Sequence, residues 1–223
     1  MSWVLANLPT IAGHLLAHLL QAVPAIIASF VLAIPIARLA RTARPLRAVL
    51  VTGSSLLYAV PSLALFVILP IILATGIRDP LNVIVALTLY GLALLVPATA
   101  DALDAVDARV LDAATAMGMG RLRCFLTVEL PLAGPAILTG LRVVTVSTIS
   151  LTTVGAVLGV RSLGWLFTDG FQRGITAEIV TGLVATAALA LVLDGLVLAL
   201  GRLCLPWTWK RAGDAGAVPA GAC

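Results

Sequence analysis

The sequence predicts an all-α, polytopic membrane protein, and three observations carry that prediction. Of the 223 residues, 61% are hydrophobic and only 11% are charged. The mean hydropathy is +1.13, whereas soluble domains hold roughly 45–50% apolar residues. The apolar residues are also gathered into long blocks separated by short charged clusters. A block of about 18 or more such residues, wound at about 1.5 Å per residue, crosses about 30 Å of hydrocarbon.

Five segments meet that requirement: Leu19 to Leu39, Ala48 to Thr75, Asn82 to Ala100, Val143 to Val160, and Ile179 to Leu203. The first 20 residues lack a basic start followed by an apolar run and a small-residue cleavage site, so the first span is expected to stay in place. The second segment is too long for one upright helix. Pro61 and Pro70 predict a tilt, a kink or a break into two short pieces.

The formal charge of +4 does not read as a nucleic-acid surface, because the basic residues stand at the ends of apolar blocks and not along one stripe. They report orientation instead, since Lys and Arg favour the cytoplasmic side of short loops. With five spans, Arg38, Arg41, Arg44, Arg47, Arg109, Arg121, Arg123, Arg142, Arg202, Lys210 and Arg211 fall on one side. Only Arg78, Arg161 and Arg173 fall on the other. The amino terminus is therefore expected outside and the carboxyl terminus in the cytoplasm. An even number of spans would scatter these charges over both faces.

The resulting division is an external segment 1–18, a transmembrane domain 19–205 with a cytoplasmic loop at about 101–131, and a Gly/Ala-rich cytoplasmic tail 206–223 expected to be disordered. Cys124, Cys204 and Cys223 lack metal-ligand spacing and fall on the reducing side, so they read as free thiols. His14 and His18 stand four apart, a spacing that suits a metal, but no third ligand accompanies them. They read as polar residues on the wet side of an interfacial helix.

The long cytoplasmic loop has a helical pattern. Leu103, Val106, Val110, Ala114 and Met117 recur at three- and four-residue spacing, with Asp101, Asp104 and Asp107 on another face. A second amphipathic stretch, Arg121 to Val128, presents Leu122, Phe125 and Leu126. Between them Gly118-Met119-Gly120 supplies the positive φ of a tight turn, and Pro131 is expected to interrupt the helix before the next span. This helix-turn-helix is too short to be a domain and too apolar on one side to stand in water, so it calls for a partner surface.

Asp112-Ala113-Ala114, then Gly118, then Val128-Glu129-Leu130-Pro131 resemble the "EAA" signature of ATP-binding-cassette importer permeases: Glu-Ala-Ala, three residues, Gly, nine residues, Ile-x-Leu-Pro. Here Asp112 replaces the family's Glu and Val128 its Ile. Tyr58 to Leu65, Ala136-Ile137-Leu138 with Gly140-Leu141-Arg142, and the external Gly159 to Gly164 resemble the branch that imports quaternary-ammonium osmoprotectants: glycine betaine, choline, carnitine or proline betaine. In that branch the external loop usually has two further glycines where this chain has Arg161 and Ser162.

The resemblance implies a methionine-permease-like fold in the inner membrane and a coupling helix that sits in a groove of an ATPase subunit. The coupling residues it implies are Asp112, Ala113, Ala114, Gly118, Gly120, Arg121, Leu130 and Pro131. Implied partners are a cytoplasmic ATPase dimer, a second permease subunit (a copy or a paralogue), an external substrate-binding protein and membrane lipid. ATP and Mg belong to the ATPase, and no cofactor is expected in this chain.

The fourth segment is the most polar, with Thr145, Ser147, Thr148, Ser150, Thr152 and Thr153. Ser147, Ser150 and Thr153 are candidates to line a pathway, although hydroxyls also bond their own helix. Asp194, the one carboxylate well inside a span, is a candidate for the pathway or for a structural hydrogen bond. No phosphate loop, nucleophile elbow or paired histidines with a Glu base are found, so a catalytic site is not expected. Aromatics make up 5% of the chain, which places recognition of a quaternary ammonium mainly on a separate binding protein. Import of an amino acid, a membrane-embedded enzyme and a stand-alone channel are the competing readings.

Overall fold

The computed structural model describes residues 2–41 and 44–207. Most of the expected tail, with Lys210, Arg211 and Cys223, lies outside the described residues. The described chain is helical: α1 (Ser2–Ala6), α2 (Leu8–Ala40), α3 (Arg44–Ala59), α4 (Ser62–Leu73), α5 (Pro80–Asp104), α6 (Ala108–Ala116), α7 (Arg121–Cys124), α8 (Leu130–Thr152), α9 (Trp165–Arg173) and α10 (Thr176–Cys204). A π-helical turn, Phe125–Glu129, joins α7 to α8, and a 3₁₀ turn, Thr153–Leu158, follows α8.

By length and composition, α2, α5, the continuous helix Arg121–Leu158 and α10 are each able to cross a membrane, and the bent pair α3 and α4 brings the number up to five. Pro61 bends that pair by 108°. The break leaves a carbonyl at Val60, which accepts a hydrogen bond from the Tyr90 hydroxyl at 2.5 Å. An unpaired carbonyl in hydrocarbon costs several kcal/mol, on the order of 2–7, so Tyr90 makes the break tolerable.

Helix α5 is the axis of the bundle. In its most apolar stretch 56% of residues are buried inside the protein, against 6% in α10. Toward its start Val83, Leu87 and Tyr90 pack with Phe66 and Leu69 of α4. Further along, Leu95 and Val96 meet Ala33 of α2 and Val144 of α8. Toward its end Ala100 and Leu103 join Ala37, Phe125, Ala133 and Ile137. Small residues bring the backbones together: a Cβ on Gly91 would stand 2.6 Å from Ser29 Cβ and Oγ.

Three sequence expectations are corrected. First, α2 starts at Leu8 and not near Leu19, so His14 and His18 lie within the long helix. His18 is fully buried, and the His14 ring stacks on Trp165 at 4.7 Å and 9°; neither matches a wet interfacial face.

Second, Pro131 does not interrupt the chain. Proline lacks an N–H and its ring collides with the carbonyl four residues back. The wide π turn just before it, closed by Leu130 N–H to Phe125 O, relieves that conflict. The helix runs on from Arg121, well before the expected start at Val143.

Third, Arg142 therefore stands in the middle of α8 and not at a cytoplasmic end. Its guanidinium makes a two-pronged ion pair with Asp194 of α10, Nε to Oδ1 at 2.8 Å and Nη2 to Oδ2 at 2.6 Å. Burial of this kind of charge in a bilayer requires a partner, and each residue supplies the other's.

Candidate functional site

The loop at about 101–131 folds as a cap on one end of the bundle. Helix α5 ends at Asp104, and the Asp107 carboxylate starts α6 by accepting the Arg109 N–H at 2.9 Å, a standard N-cap. Helix α6 then ends at Ala116, and its closure is completed by Gly118, whose φ is +84°. The Gly118 N–H reaches Thr115 O at 2.9 Å and the Met119 N–H reaches Ala114 O at 3.2 Å. These two bonds form the Schellman closure that a left-handed residue after the helix permits. The expected glycine turn is thus at Gly118. Gly120, at φ −65° and ψ 155°, is ordinary extended backbone.

The expected apolar stripe divides between two elements. Leu103 belongs to the end of α5 and is fully buried, and Ala114 of α6 also faces inward. Val110 and Met117, by contrast, are exposed, Met117 to 72%. Asp112, Ala113 and Ala116 share that outer surface, and Asp112 makes no ion pair among the described residues. Arg121 is exposed at the start of α7, while Leu130 and Pro131 are half-buried where α8 begins. The loop thus presents a small-residue and apolar face, with one carboxylate, away from the bundle.

Behind this cap lies an ion-pair network that sequence reasoning missed. Arg41, after α2, bonds Asp104 Oδ1 through Nε at 2.8 Å and pairs through Nη1 with Glu129 Oε1. Arg47 of α3 pairs with Asp104 and reaches Asp101 at 3.3 Å. Arg38 lies over the Phe125 ring at 4.2 Å, a cation–π contact. Arg38, Arg41, Arg121, Phe125 and Glu129 line a cleft of about 380 Å³ beneath α6. The signal available in the sequence was a set of acids and arginines at span ends, read for orientation alone.

The pathway candidates fall on a different surface. Thr145 and Thr152 are buried and return their hydroxyls to Leu141 O and Thr148 O at 2.8 and 2.7 Å. Ser147 and Thr153 are half-buried and Ser150 is exposed, and Thr153 bonds Ser150 O at 2.7 Å. Asp194, paired to Arg142, is not brought together with these hydroxyls by any contact among the described residues. No group of three His, Cys, Asp or Glu side chains suited to a metal occurs among the described residues.

At the opposite end of α8, Gly159 (φ +80°) opens a tight loop. A Cβ on Gly164 would lie 2.1 Å from Thr153 O, so the loop is seated directly on the end of α8. Gln21 of α2 fastens it by donating to Arg161 O at 2.7 Å.

Residues 25–209 match the family described as "Binding-protein-dependent transport system inner membrane component". The choline transport system permease protein OpuBD of Bacillus subtilis (strain 168) is 29% identical over 197 residues, covering 88% of this chain and 86% of that protein. The ergothioneine transport permease/ergothioneine binding protein EgtU of Helicobacter pylori (strain G27) is 33% identical over 151 residues, 68% of this chain but only 27% of the relative's length. Among solved structures, a chain of the MetNI methionine ABC transporter in an inward-facing conformation superposes with a TM-score of 0.75 at 18% identity, covering 92% of this chain and 97% of that one. That likeness establishes a shared fold, as the sequence led us to expect.

Proposed function

This chain belongs to the binding-protein-dependent transport system inner membrane components, and on that premise we propose that it is the permease subunit of an ATP-driven importer of a quaternary-ammonium osmoprotectant. Glycine betaine, choline, carnitine and proline betaine are the candidate solutes. The observation that carries the reading is the outward face of the capped loop, where Asp112, Ala113 and Met117 are exposed around the left-handed turn at Gly118. A short rigid helix with small side chains fits a groove in a cytoplasmic ATPase. Asp112 meets a basic group or backbone amide there. Gly120, Arg121, Leu130 and Pro131 complete the coupling segment.

In this reading two permease subunits enclose the pathway, a pair of ATPases binds and hydrolyses ATP with Mg, and an external binding protein delivers the solute. The amino terminus lies outside and the carboxyl terminus in the cytoplasm. The exposed side of α8 with Ser147, Ser150 and Thr153 faces the pathway, and Asp194 acts on it through Arg142. Choline and ergothioneine, named in the two relatives, both carry a trimethylammonium group, which supports that solute class.

The test is uptake of radiolabelled choline and glycine betaine into vesicles holding the whole complex. Uptake should require both ATP and the binding protein. Uptake that survives without ATP would identify a channel or secondary transporter, and uptake of amino acids alone would reassign the solute. Tight betaine binding by the permease without its binding protein would overturn the division of recognition.

A further inference from the structure

The ion-pair network behind the coupling segment joins parts of the bundle that are far apart in sequence. Glu129 belongs to the π turn of the long helix Arg121–Leu158. Arg41 closes α2, and Asp104 closes α5. One guanidinium bonds both carboxylates. Glu129 is largely enclosed, with its side chain 12% exposed, and Arg41 is 27% exposed. A charge-assisted pair so enclosed is stronger and less screened than one on an open surface.

The long helix gives this junction mechanical meaning. Because α7 runs without interruption through the π turn into α8, a push on the turn at Gly118 acts on the end of a continuous rod. Glu129 sits on that rod at the level where α2 and α5 end. The rod is also widened there by the π turn Phe125–Glu129, and such turns often mark sites where a helix adapts. Arg38 on the Phe125 ring borders the same cleft and holds the start of the same turn.

We infer that Arg41 is a positioning residue of the transport cycle: through Glu129 and Asp104 it carries displacement of the coupling segment into α2 and α5, so that ATPase closure moves the pathway walls together. This rests on the coupling role proposed above for the Gly118 segment, yet Arg41 itself is not part of the ATPase-docking face. Arg47 extends the same link to α3 through Asp104 and Asp101.

The test measures solute taken up per ATP hydrolysed by the complete complex of permease, ATPase and binding protein in vesicles, with ATPase co-purification recorded in parallel. Arg41→Ala and Glu129→Ala should keep the ATPase attached and hydrolysing while uptake per ATP falls roughly 2- to 30-fold, the range that coupling mutations span. The double variant should be no worse than either single variant, because both remove one link. Arg41→Lys, which keeps the charge without the fork, should recover part of the ratio.

Unchanged uptake per ATP in both single variants would overturn the proposal, as would additive losses in the double variant. Loss of ATPase attachment in Arg41→Ala would also overturn it, by showing a docking role instead. If Arg41→Ala does not accumulate, Glu129→Ala and Arg41→Lys carry the same comparison. Failure of the coupling-segment reading would register differently, as normal ATPase attachment and coupling when Gly118 and Asp112 are replaced.

Discussion

Replacing Gly118 isolates a backbone effect from a packing effect. A Cβ at this position meets nothing within 4 Å, so Gly118→Ala removes no contact and creates no clash. Its φ of +84° is the whole difficulty, since an L-residue held in the left-handed region loses about 1–2 kcal/mol. Valine, branched at Cβ, belongs at or beyond the upper end of that range.

If the Schellman closure is the shape that the ATPase groove accepts, that strain lowers the competent fraction of the loop. Apparent ATPase affinity then falls ~5- to 30-fold. The control is Gly120→Ala, which changes a glycine two residues away with φ −65° and should leave affinity unchanged within about twofold. The assay titrates the purified ATPase onto the permease in lipid nanodiscs, with membrane insertion of each variant measured first. Wild-type affinity in Gly118→Val, or an equal loss in Gly120→Ala, would refute the argument that the left-handed turn presents the docking face.

Other expected outcomes concern topology and stability. A single cysteine placed at position 161 should react with an impermeant reagent from outside, and one at 121 only from the cytoplasm; reversed access would invert the topology. Gly164→Ala drives a methyl group into Thr153 O and should destabilise the protein by about 3 kcal/mol, read as a lower unfolding temperature in detergent, whereas Gly195→Ala, which meets nothing, should not. Asp194→Leu leaves Arg142 without its carboxylate and should lower thermal stability. Adding Arg142→Leu should restore much of it, and no recovery in the double variant would show that the pair has a role beyond mutual neutralisation.

The spans were legible because a bilayer imposes a length and a composition that few other environments do. The glycine turn was legible for a related reason: Gly118 follows a helical pattern at the position where only a left-handed residue closes it. The break at Pro61 was visible as a possibility, but its 108° angle depends on how α4 packs on α5. What local pattern could not reveal was the vertical position of charges. Arg142 reads as a loop residue until Asp194, 52 positions later, is seen beside it. Likewise Pro131 reads as a stop, because the π turn that accommodates it has no distinct sequence mark. Glu129 stands in a quoted motif, yet its partner Arg41 lies 88 positions away, beyond the reach of any periodicity.

The unequal enclosure of α5 and α10 has a consequence for how the sequence can drift. On α10, Leu183, Leu191, Leu196 and Leu203 are all more than half exposed. Exchanging one aliphatic for another there alters neither fit nor solvation. On α5, Leu87 and Leu95 are fully enclosed, where trimming to alanine costs about 2–5 kcal/mol. A saturation scan of the two helices should therefore return two different alphabets: composition alone along most of α10, with Asp194, the buried Glu178 and the tightly fitted Gly182 and Gly201 as exceptions, and individual side-chain shape along α5.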